Sequence, residues 1–236
     1  MTRRLYFSIV VPAHNEEGYI GATLEHLAAL DYPDQRYEVL VVENGSSDRT
    51  LDVARRFECG NVRVFASDAR GVSAAKNAGA EQASPDGDWV VFLDADTLLK
   101  ANFLTELESL LRNARTPLSV GTSSVRPIEG GRVARAWFAY YDLAHRLGKG
   151  SYAIQIARRS MLSLVRFDEA LVMGEDTRFI KDACAQGDFF FLPTDTVLTS
   201  TRRFEQVGYW RLFLRWSVVA VLPPRLQRAF GYEIIR

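Results

Sequence analysis

The 236-residue sequence contains only two cysteines, Cys59 and Cys184, which lie far apart and match no metal-ligand spacing. Such sparse cysteine is simplest to explain by a reduced, cytoplasmic compartment. Basic and acidic residues balance at 29 each, so no overall positive field favours nucleic acid as a partner. The apolar run near the N-terminus stops at Pro12 without a small-residue cleavage site, so we expect no signal peptide.

Long apolar runs are missing as well, since no segment approaches the ~20 apolar residues that a membrane-spanning helix needs. The sequence also lacks internal repeats, low-complexity segments and linkers rich in glycine, serine or proline. Its apolar fraction of 47% is ordinary for a globular protein with a sizeable core. These features together predict a globular chain organised around one main domain.

Predicted strands and helices alternate through the first part of the chain. Short apolar runs rich in β-branched residues predict strands at 5–11, 38–42, 62–66 and 88–93. Helices are predicted between them at 17–30, 48–57 and 71–82. Later elements are predicted as helices at 103–111, 133–147 and 177–186 and as strands at 118–125, 151–157 and 189–192. The alternation predicts an α/β fold with a parallel sheet covered by helices on both faces.

Polar clusters follow three of the predicted strands at the points where these strands end. The clusters are His14-Asn15-Glu16, Glu43-Asn44-Gly45 and Asp94-Ala95-Asp96. Ligands of open α/β sheets bind outside the carboxyl ends of the strands, so we expect these clusters to converge on one crevice.

Asp94 and Asp96 form the most informative of these clusters. Mg²⁺ and Mn²⁺ take oxygen ligands, and Mg²⁺ usually combines one or two carboxylates with substrate phosphates. A solvated turn with an aspartate helix cap is the commoner explanation of an isolated Asp-x-Asp pair. The neighbouring polar clusters favour a metal site instead, with Asp96 as the first ligand and Asp94 on the metal, its waters or a ribose.

Five motifs in order resemble those of family 2 glycosyltransferases of the GT-A fold. They are Ser8 to Glu17, Val41 to Thr50, Gly71 to Gly79, the Asp94-Ala95-Asp96 segment, and Phe167-Asp168-Glu169 with Gly174-Glu175-Asp176. The sequence departs from the family where His14 replaces an aromatic residue, Glu43 an aspartate and Lys76 an arginine. The resemblance covers roughly residues 5 to 205, and five motifs in the right order are far more specific than any one of them.

The resemblance implies a Rossmann-like, mostly parallel sheet flanked by helices over residues 1–207. Residues 1–100 would form the nucleotide-sugar-binding half and 101–207 the acceptor-binding half, followed by an amphipathic tail at 208–236. The implied activity is a metal-dependent, inverting transfer of a sugar from a nucleotide-diphosphate donor to an acceptor hydroxyl. The metal would be Mg²⁺ or Mn²⁺, and the acceptor a sugar or a lipid-linked molecule in cell-surface polysaccharide or glycolipid synthesis.

Asp176, with Glu175 beside it, is the predicted catalytic residue. A carboxylate here can take the proton of the acceptor hydroxyl. Two acids at a helix N-terminus are explained equally well by the helix dipole, which favours negative charge there. The resemblance selects Asp176 as the general base.

The predicted donor site draws on all of these motifs. Glu43 can accept a hydrogen bond from a ring N–H of uracil or guanine, although Glu43-Asn44-Gly45 is also typical of a turn. One of Arg202 and Arg203 is expected to meet the diphosphate, because arginine suits bidentate phosphate contact. The donor-binding candidates are Pro12, Ala13, Asn15, Glu16, Glu43, Asn44, Asp68, Arg70, Lys76, Asp94, Ala95, Asp96, Arg202 and Arg203. A solvated surface position is an equal alternative for Asp68, Arg70 and Lys76.

The tail combines Trp210, Phe213, Leu214 and Trp216 with Arg211 and Arg215. This composition is typical of an interfacial helix at the inner face of a membrane, but also of a helix docked on the core or on a second subunit. Two other functions stay open. A sugar nucleotidyltransferase would need a glycine-rich phosphate loop after the first strand, and a catalytically inactive nucleotide-sugar-binding module would need no intact carboxylates.

Overall fold

The computed structural model describes residues 3–68, 70–171, 173–212 and 214. In this part of the chain the main sheet has seven strands, β1 (Phe7–Ala13), β2 (Tyr37–Glu43), β3 (Val62–Ala66), β4 (Trp89–Leu93), β6 (Leu118–Ser123), β8 (Ile154–Arg158) and β9 (Asp188–Leu192). A smaller sheet contains β5 (Thr97–Leu99), β7 (Arg126–Pro127) and β10 (Val197–Thr199). The helices are α1 (Ile20–Ala28), α2 (Thr50–Arg55), α3 (Val72–Gln82), α4 (Phe103–Asn113), α5 (Arg132–Gly148), α6 (Glu175–Cys184) and α7 (Arg202–Val207).

The main sheet is mixed but mostly parallel. Its strand order is β3-β2-β1-β4-β8-β6-β9, and β1 pairs in parallel with both β2 and β4. Strand β8 runs antiparallel to β4 and β6, which separates the parallel first half from the later strands. This arrangement confirms the predicted α/β fold class.

Side chains of β1 alternate between two apolar layers, as the two-residue period of a strand requires. Ile9 and Val11 pack in the layer that includes α1, α4 and α5, whereas Val10 packs in the layer of α3 and α6. Every residue of β1 and β2 is buried, because helices cover both faces of the sheet. The register places Ala13 opposite Glu43, so both strands end at the same edge.

Several element boundaries differ from the predictions. Helix α1 begins at Ile20 rather than at residue 17, and α6 begins at Glu175, two residues earlier than predicted. The small sheet was not predicted, because its strands span only two or three residues and show no recognisable alternation. The described residues contain no helix with the length and apolar character of a membrane span.

The beginning of the predicted tail packs on the core. Leu212 is buried, and the ring of Tyr209 stacks on Phe204 with centroids 5.3 Å apart. Phe213, Arg215 and Trp216 lie outside the described residues. In the described part of the tail, Tyr209 and Leu212 therefore pack on the core, and the ring of Trp210 lies edge-on to Trp137 at 5.4 Å.

Close packing of α3 on the sheet depends on Gly79. A Cβ atom at this position would overlap Val10 Cγ1 and lie 3.0 Å from Val42 Cγ2. We therefore expect Gly79→Ala to lower the free energy of unfolding by about 1–3 kcal/mol, because the added methyl group pushes α3 away from the sheet. Urea unfolding at equilibrium measures the change.

Gly60→Ala is the matched control, since no heavy atom lies within 4 Å of the Cβ position there. Its stability should stay within about 0.5 kcal/mol of the wild type. Equal stability of the two variants would show that α3 moves without cost, which contradicts the packing argument.

Candidate active site

Asn15 joins the loops that follow β1 and β2. Its φ of 56° lies in the left-handed region, which asparagine tolerates better than most residues. The Asn15 Oδ1 atom accepts hydrogen bonds from the Ser47 backbone N–H at 2.7 Å and from Ser47 Oγ at 3.1 Å. Asn15 was predicted to contact the donor, and the structure places its side chain, 8% exposed, as a bridge between two site loops.

The predicted turn after β2 is present and is closed by Glu43. The Glu43 carboxylate accepts a hydrogen bond from the Ser46 backbone N–H. Asn44 Nδ2 donates to the Gly71 carbonyl at 3.2 Å, which connects this turn to the start of α3. Pro12 and Ala13 are buried at the end of the neighbouring strand β1. Contact of Glu43 with a base stays a prediction.

Asp94 and Asp96 emerge from a rigidly held backbone after β4. The Ala95 carbonyl accepts a hydrogen bond from Thr23 Oγ1 at 2.7 Å, and the Asp94 carbonyl accepts one from the Thr97 N–H at 3.0 Å. Ala95 is buried, whereas the side chains of Asp94 and Asp96 are 39% and 20% exposed. The loop therefore presents two partly solvated carboxylates at the edge of the sheet.

Arg202 lies across this edge. Its Nη2 atom donates to both carboxylate oxygens of Glu16, at 2.7 and 2.8 Å, and lies 3.2 Å from Asp96 Oδ2. The guanidinium also stacks over the ring of Tyr19 at 4.1 Å. Burial alone would lower the pKa of Arg202, but the hydrogen bond to Glu16 and the charge of Asp96 raise it above its ordinary value.

Lys76 is the central cation of the opposite wall. Its side chain is 1% exposed, and its Nζ atom donates to Asp176 Oδ1 at 2.6 Å and to Gln155 Oε1 at 2.9 Å. Asp94 Oδ1 lies 3.8 Å from the same atom. Burial alone would lower the pKa of Lys76, but the negative charges of Asp176, Asp94 and Glu175 more than offset it and raise the pKa above its ordinary value. Lys76 thus stays charged between two predicted site acids.

Glu175 and Asp176 occupy the first turn of α6, as predicted, where the helix dipole favours negative charge. Gly174 precedes them with a φ of 80°, a left-handed conformation in which glycine carries no steric cost. Burial, followed by repulsion from Asp176, raises the pKa of Glu175 to about 7, although the charge of Lys76 acts in the opposite direction.

Two candidates are exposed, and one lies outside the description; of the exposed pair, Arg70 has its Nη1 atom 3.7 Å from the Cβ position of Gly45, beside the turn after β2. Asp68 and Arg70 are exposed in the loop between β3 and α3. The side chain of Arg203 lies outside the description, so which of the two arginines meets the diphosphate stays a prediction.

Two residues of the cleft were missed by sequence reasoning. The sequence carried a signal for Gln155, because it is a polar residue inside a mostly apolar predicted strand. In the structure it is fully buried in β8. Tyr19 carried no such signal, since its contact with Arg202 depends on α7, which was not predicted.

The sequence profile described as Glycosyl transferase family 2 matches residues 8–170, more than half of the chain. The chain belongs to this family. A curated relative from Methanococcus voltae is 32% identical over 199 residues, which cover 74% of this chain and 60% of the relative. That relative is named dolichyl N-acetyl-α-D-glucosaminyl phosphate 3-β-D-2,3-diacetamido-2,3-dideoxy-β-D-glucuronosyltransferase. The chain spans less than two thirds of the length of the first curated relatives that it matches.

Solved structures share the fold. Residues 1–349 of TarS from Staphylococcus aureus, in complex with UDP-GlcNAc, superpose with a TM-score of 0.72 at 22% identity, covering 94% of this chain and 69% of that one. The mannosyltransferase PcManGT from Pyrobaculum calidifontis, in complex with GDP-Man and Mn²⁺, gives a TM-score of 0.69 at 20% identity, with 92% and 63% covered. Both likenesses agree with the predicted GT-A fold of this family.

Replacement of Lys76 should reveal how much the buried charge contributes. We expect Lys76→Met to lower the free energy of unfolding by about 1–3 kcal/mol, because Asp176 and Asp94 lose their cation. The loss falls below the 3–5 kcal/mol typical of a fully buried pair, since both acids retain some contact with water. Denaturant unfolding at neutral pH measures it.

Arg166→Met is the matched control, because Arg166 forms an ion pair with Glu81 in which both side chains are 58% exposed. Exposed pairs contribute about 0–1 kcal/mol. A loss in Lys76→Met no larger than that in Arg166→Met would refute a structural role for the buried ammonium.

Proposed function

We propose that this chain is a glycosyltransferase that moves a sugar, with inversion, from a nucleotide-diphosphate donor to an acceptor hydroxyl. One observation carries the proposal. Lys76 Nζ lies 2.6 Å from Asp176 and 3.8 Å from Asp94, so the predicted base and the Asp-x-Asp loop face each other across a single side chain. A donor held at Asp94 and Asp96 therefore has its sugar close to Asp176.

Asp96 and Asp94 would hold Mg²⁺ or Mn²⁺. Both carboxylates are partly solvated, and Asp96 already lies against a cation, the guanidinium of Arg202. Within the described ranges, no group of three or more His, Cys, Asp or Glu side chains is arranged around a metal position. Two carboxylates suit an ion that completes its coordination with diphosphate oxygens and water. When bound, the ion would stabilise the charge on the departing diphosphate. The Mn²⁺ in the PcManGT complex supports this assignment.

Arg202 would supply a second positive charge to the diphosphate. Its guanidinium is held in place by Glu16 and by the ring of Tyr19. The turn closed by Glu43 and Asn44 would receive the base, between β1 and β2. UDP-GlcNAc and GDP-Man, the donors in the two structures of the same fold, support a nucleotide-diphosphate sugar as the donor class.

Asp176 would act as the general base. The acceptor oxygen forms a bond to the anomeric carbon while the bond from that carbon to the diphosphate oxygen breaks, and the acceptor proton passes to Asp176. A single displacement of this kind inverts the anomeric configuration. Lys76 donates a hydrogen bond to Asp176 Oδ1 at 2.6 Å, which would hold the carboxylate in one orientation.

The proposed acceptor is a sugar or a lipid-linked molecule, in a reaction at the cytoplasmic face of a membrane that serves polysaccharide or glycolipid synthesis. The Methanococcus voltae relative is named for a dolichyl N-acetyl-α-D-glucosaminyl phosphate, which supports the lipid-linked class. The presence of Asp94, Asp96 and Asp176 in one cleft favours this enzyme over an inactive binding module. The buried, non-glycine backbone at Pro12 and Ala13 disfavours a nucleotidyltransferase phosphate loop.

Metal-dependent donor binding tests the role of Asp96. In the presence of Mn²⁺, Asp96→Asn should weaken binding of UDP or GDP at least about tenfold, because a carboxamide is a poorer ligand for a hard cation. With EDTA present, wild type and variant should bind these nucleotides equally weakly. Isothermal titration calorimetry measures both conditions.

The control is Asp195→Asn, an exposed aspartate paired with Lys100 on the surface. It should bind both nucleotides as the wild type does. Unchanged affinity of Asp96→Asn in Mn²⁺ would remove Asp96 from the metal site.

Asp176→Asn tests the base. The variant keeps the shape of the side chain but lacks basicity, so transfer should fall by about 10²–10⁴-fold while nucleotide affinity persists. Single-turnover transfer from the donor that binds most tightly, compared with titration of UDP and GDP, separates the two effects.

Asp182→Asn, which lies on the same helix and pairs with exposed Arg178, serves as the control and should retain full activity. Transfer by Asp176→Asn within a few-fold of the wild type would assign the proton to another group.

A further inference from the structure

Large exposed apolar side chains are concentrated on one side of the protein. Leu147 is 75% exposed and Trp210 is 71% exposed. Of the large apolar residues exposed in the described part of the chain, most lie on α5 or in the helical turn after α7, namely Val133, Tyr140, Leu143, Leu147, Trp210 and Leu214. Single exposed apolar residues are ordinary on a protein surface, but a contiguous set marks an interaction site.

The exposed residues of α5 form a stripe along the helix. Val133, Tyr140 and Leu147 follow each other at seven-residue spacing, and Leu143 lies one turn from both Tyr140 and Leu147. We call these four residues the α5 stripe. Trp137 and Phe138 are buried in the core, so the apolar surface of α5 continues from its core-facing side to the exposed stripe. Trp210 extends the stripe sideways, because its ring packs edge-on against Trp137 at 5.4 Å.

The exposed charged residues of α5 itself are basic. Arg132, Arg135 and Arg146 are exposed, and at 3.6 residues per turn they fall on one flank of the stripe. Exposed Lys149 caps the end of the helix. Asp142 is the acid of α5, and its side chain, 12% exposed, pairs with Arg126 at 2.5 Å. The acids before and beside the helix, Glu129 and Glu205, accept hydrogen bonds from Thr201.

We propose that the α5 stripe docks on a membrane surface that contains anionic lipid. The apolar side chains would enter the boundary between headgroups and acyl chains, and the arginine flank would contact lipid phosphates. The basic residues of α5 favour an anionic membrane over a second copy of the chain as the partner of the stripe. Self-pairing along the stripe would bring arginines close to arginines, and Asp142 is already engaged by Arg126.

The position of α5 relates this surface to the cleft. Just before α5, Glu129 accepts a hydrogen bond from the backbone N–H of Thr201 at 3.0 Å. Thr201 directly precedes Arg202 in the chain. Beyond its end, the Cβ position of Gly150 lies 3.5 Å from Thr177 Oγ1, directly after Asp176. A bilayer against α5 would therefore lie along the acceptor side of the cleft. The placement of a bilayer on the acceptor side deepens the proposed function and rests on it. Docking on a membrane does not depend on the proposed function.

Vesicle co-sedimentation of the full chain, without any sugar donor, tests the docking. We expect binding to vesicles of phosphatidylcholine with phosphatidylglycerol, much weaker binding to phosphatidylcholine alone, and a decrease with added salt. The double variant Leu143→Ser with Leu147→Ser should lower the partition coefficient about tenfold or more, because two apolar side chains leave the interface. Leu164→Ser is the matched control, since Leu164 is 66% exposed but lies outside α5, and it should bind as the wild type does.

Three results would overturn the proposal. The first is no sedimentation of the wild type with anionic vesicles at low salt. The second is undiminished binding of the double variant, which would assign membrane contact to another part of the chain. The third is a wild-type dimer in solution that the double variant converts to a monomer, which would make the α5 stripe a subunit interface. Because the assay contains no donor, none of these results bears on whether the cleft transfers sugar.

Discussion

The buried charge of Lys76 is the interaction on which the rest of the cleft depends. An ammonium group removed from water is tolerated only when carboxylates and hydrogen-bond acceptors surround it. Asp176, Asp94 and Gln155 meet this need from α6, from the loop after β4, and from β8. These elements must therefore approach α3 from different directions. The same requirement draws together Asp176 and Asp94, with Glu175 beside Asp176, and burial followed by repulsion from Asp176 raises the pKa of Glu175.

A second cation balances the other side of the site. Arg202 pairs with Glu16 and Asp96, so each aspartate of the Asp94-Ala95-Asp96 loop lies close to one buried or half-buried cation. The two contacts differ in character. Lys76 is enclosed by its partners, whereas Arg202 belongs to α7, a helix of only six residues at the edge of the site. If a diphosphate binds here, Arg202 would lose its contact with Asp96 and donate hydrogen bonds to phosphate oxygens instead.

Sequence patterns predicted the parallel half of the sheet well and the later elements less well. Strands β1 to β4 were predicted because buried parallel strands read as continuous apolar runs bounded by turn residues. Strands β5, β7 and β10 were not, because two or three residues carry no periodicity. For the site, the motifs predicted Glu43, Asp94, Asp96 and Asp176, and their roles stay predictions. Gln155 and Tyr19 were missed, since neither belongs to a motif and each acts through a partner distant in the chain.

The sequence by itself determined the fold class, the family and the identity of the acids at the strand ends, because these follow from local periodicity and from short motifs. Only the tertiary structure decided which cation each acid meets. Lys76 and Asp176 are 100 residues apart, and Arg202 and Glu16 are 186 apart. The exposed residues of α5 were likewise undecided, since apolar residues cover more of the helix than the core can bury, and only the packing of Trp137 and Phe138 on the core determines which of them remain exposed. Such pairings form only when the whole chain folds, and no local sequence pattern predicts them.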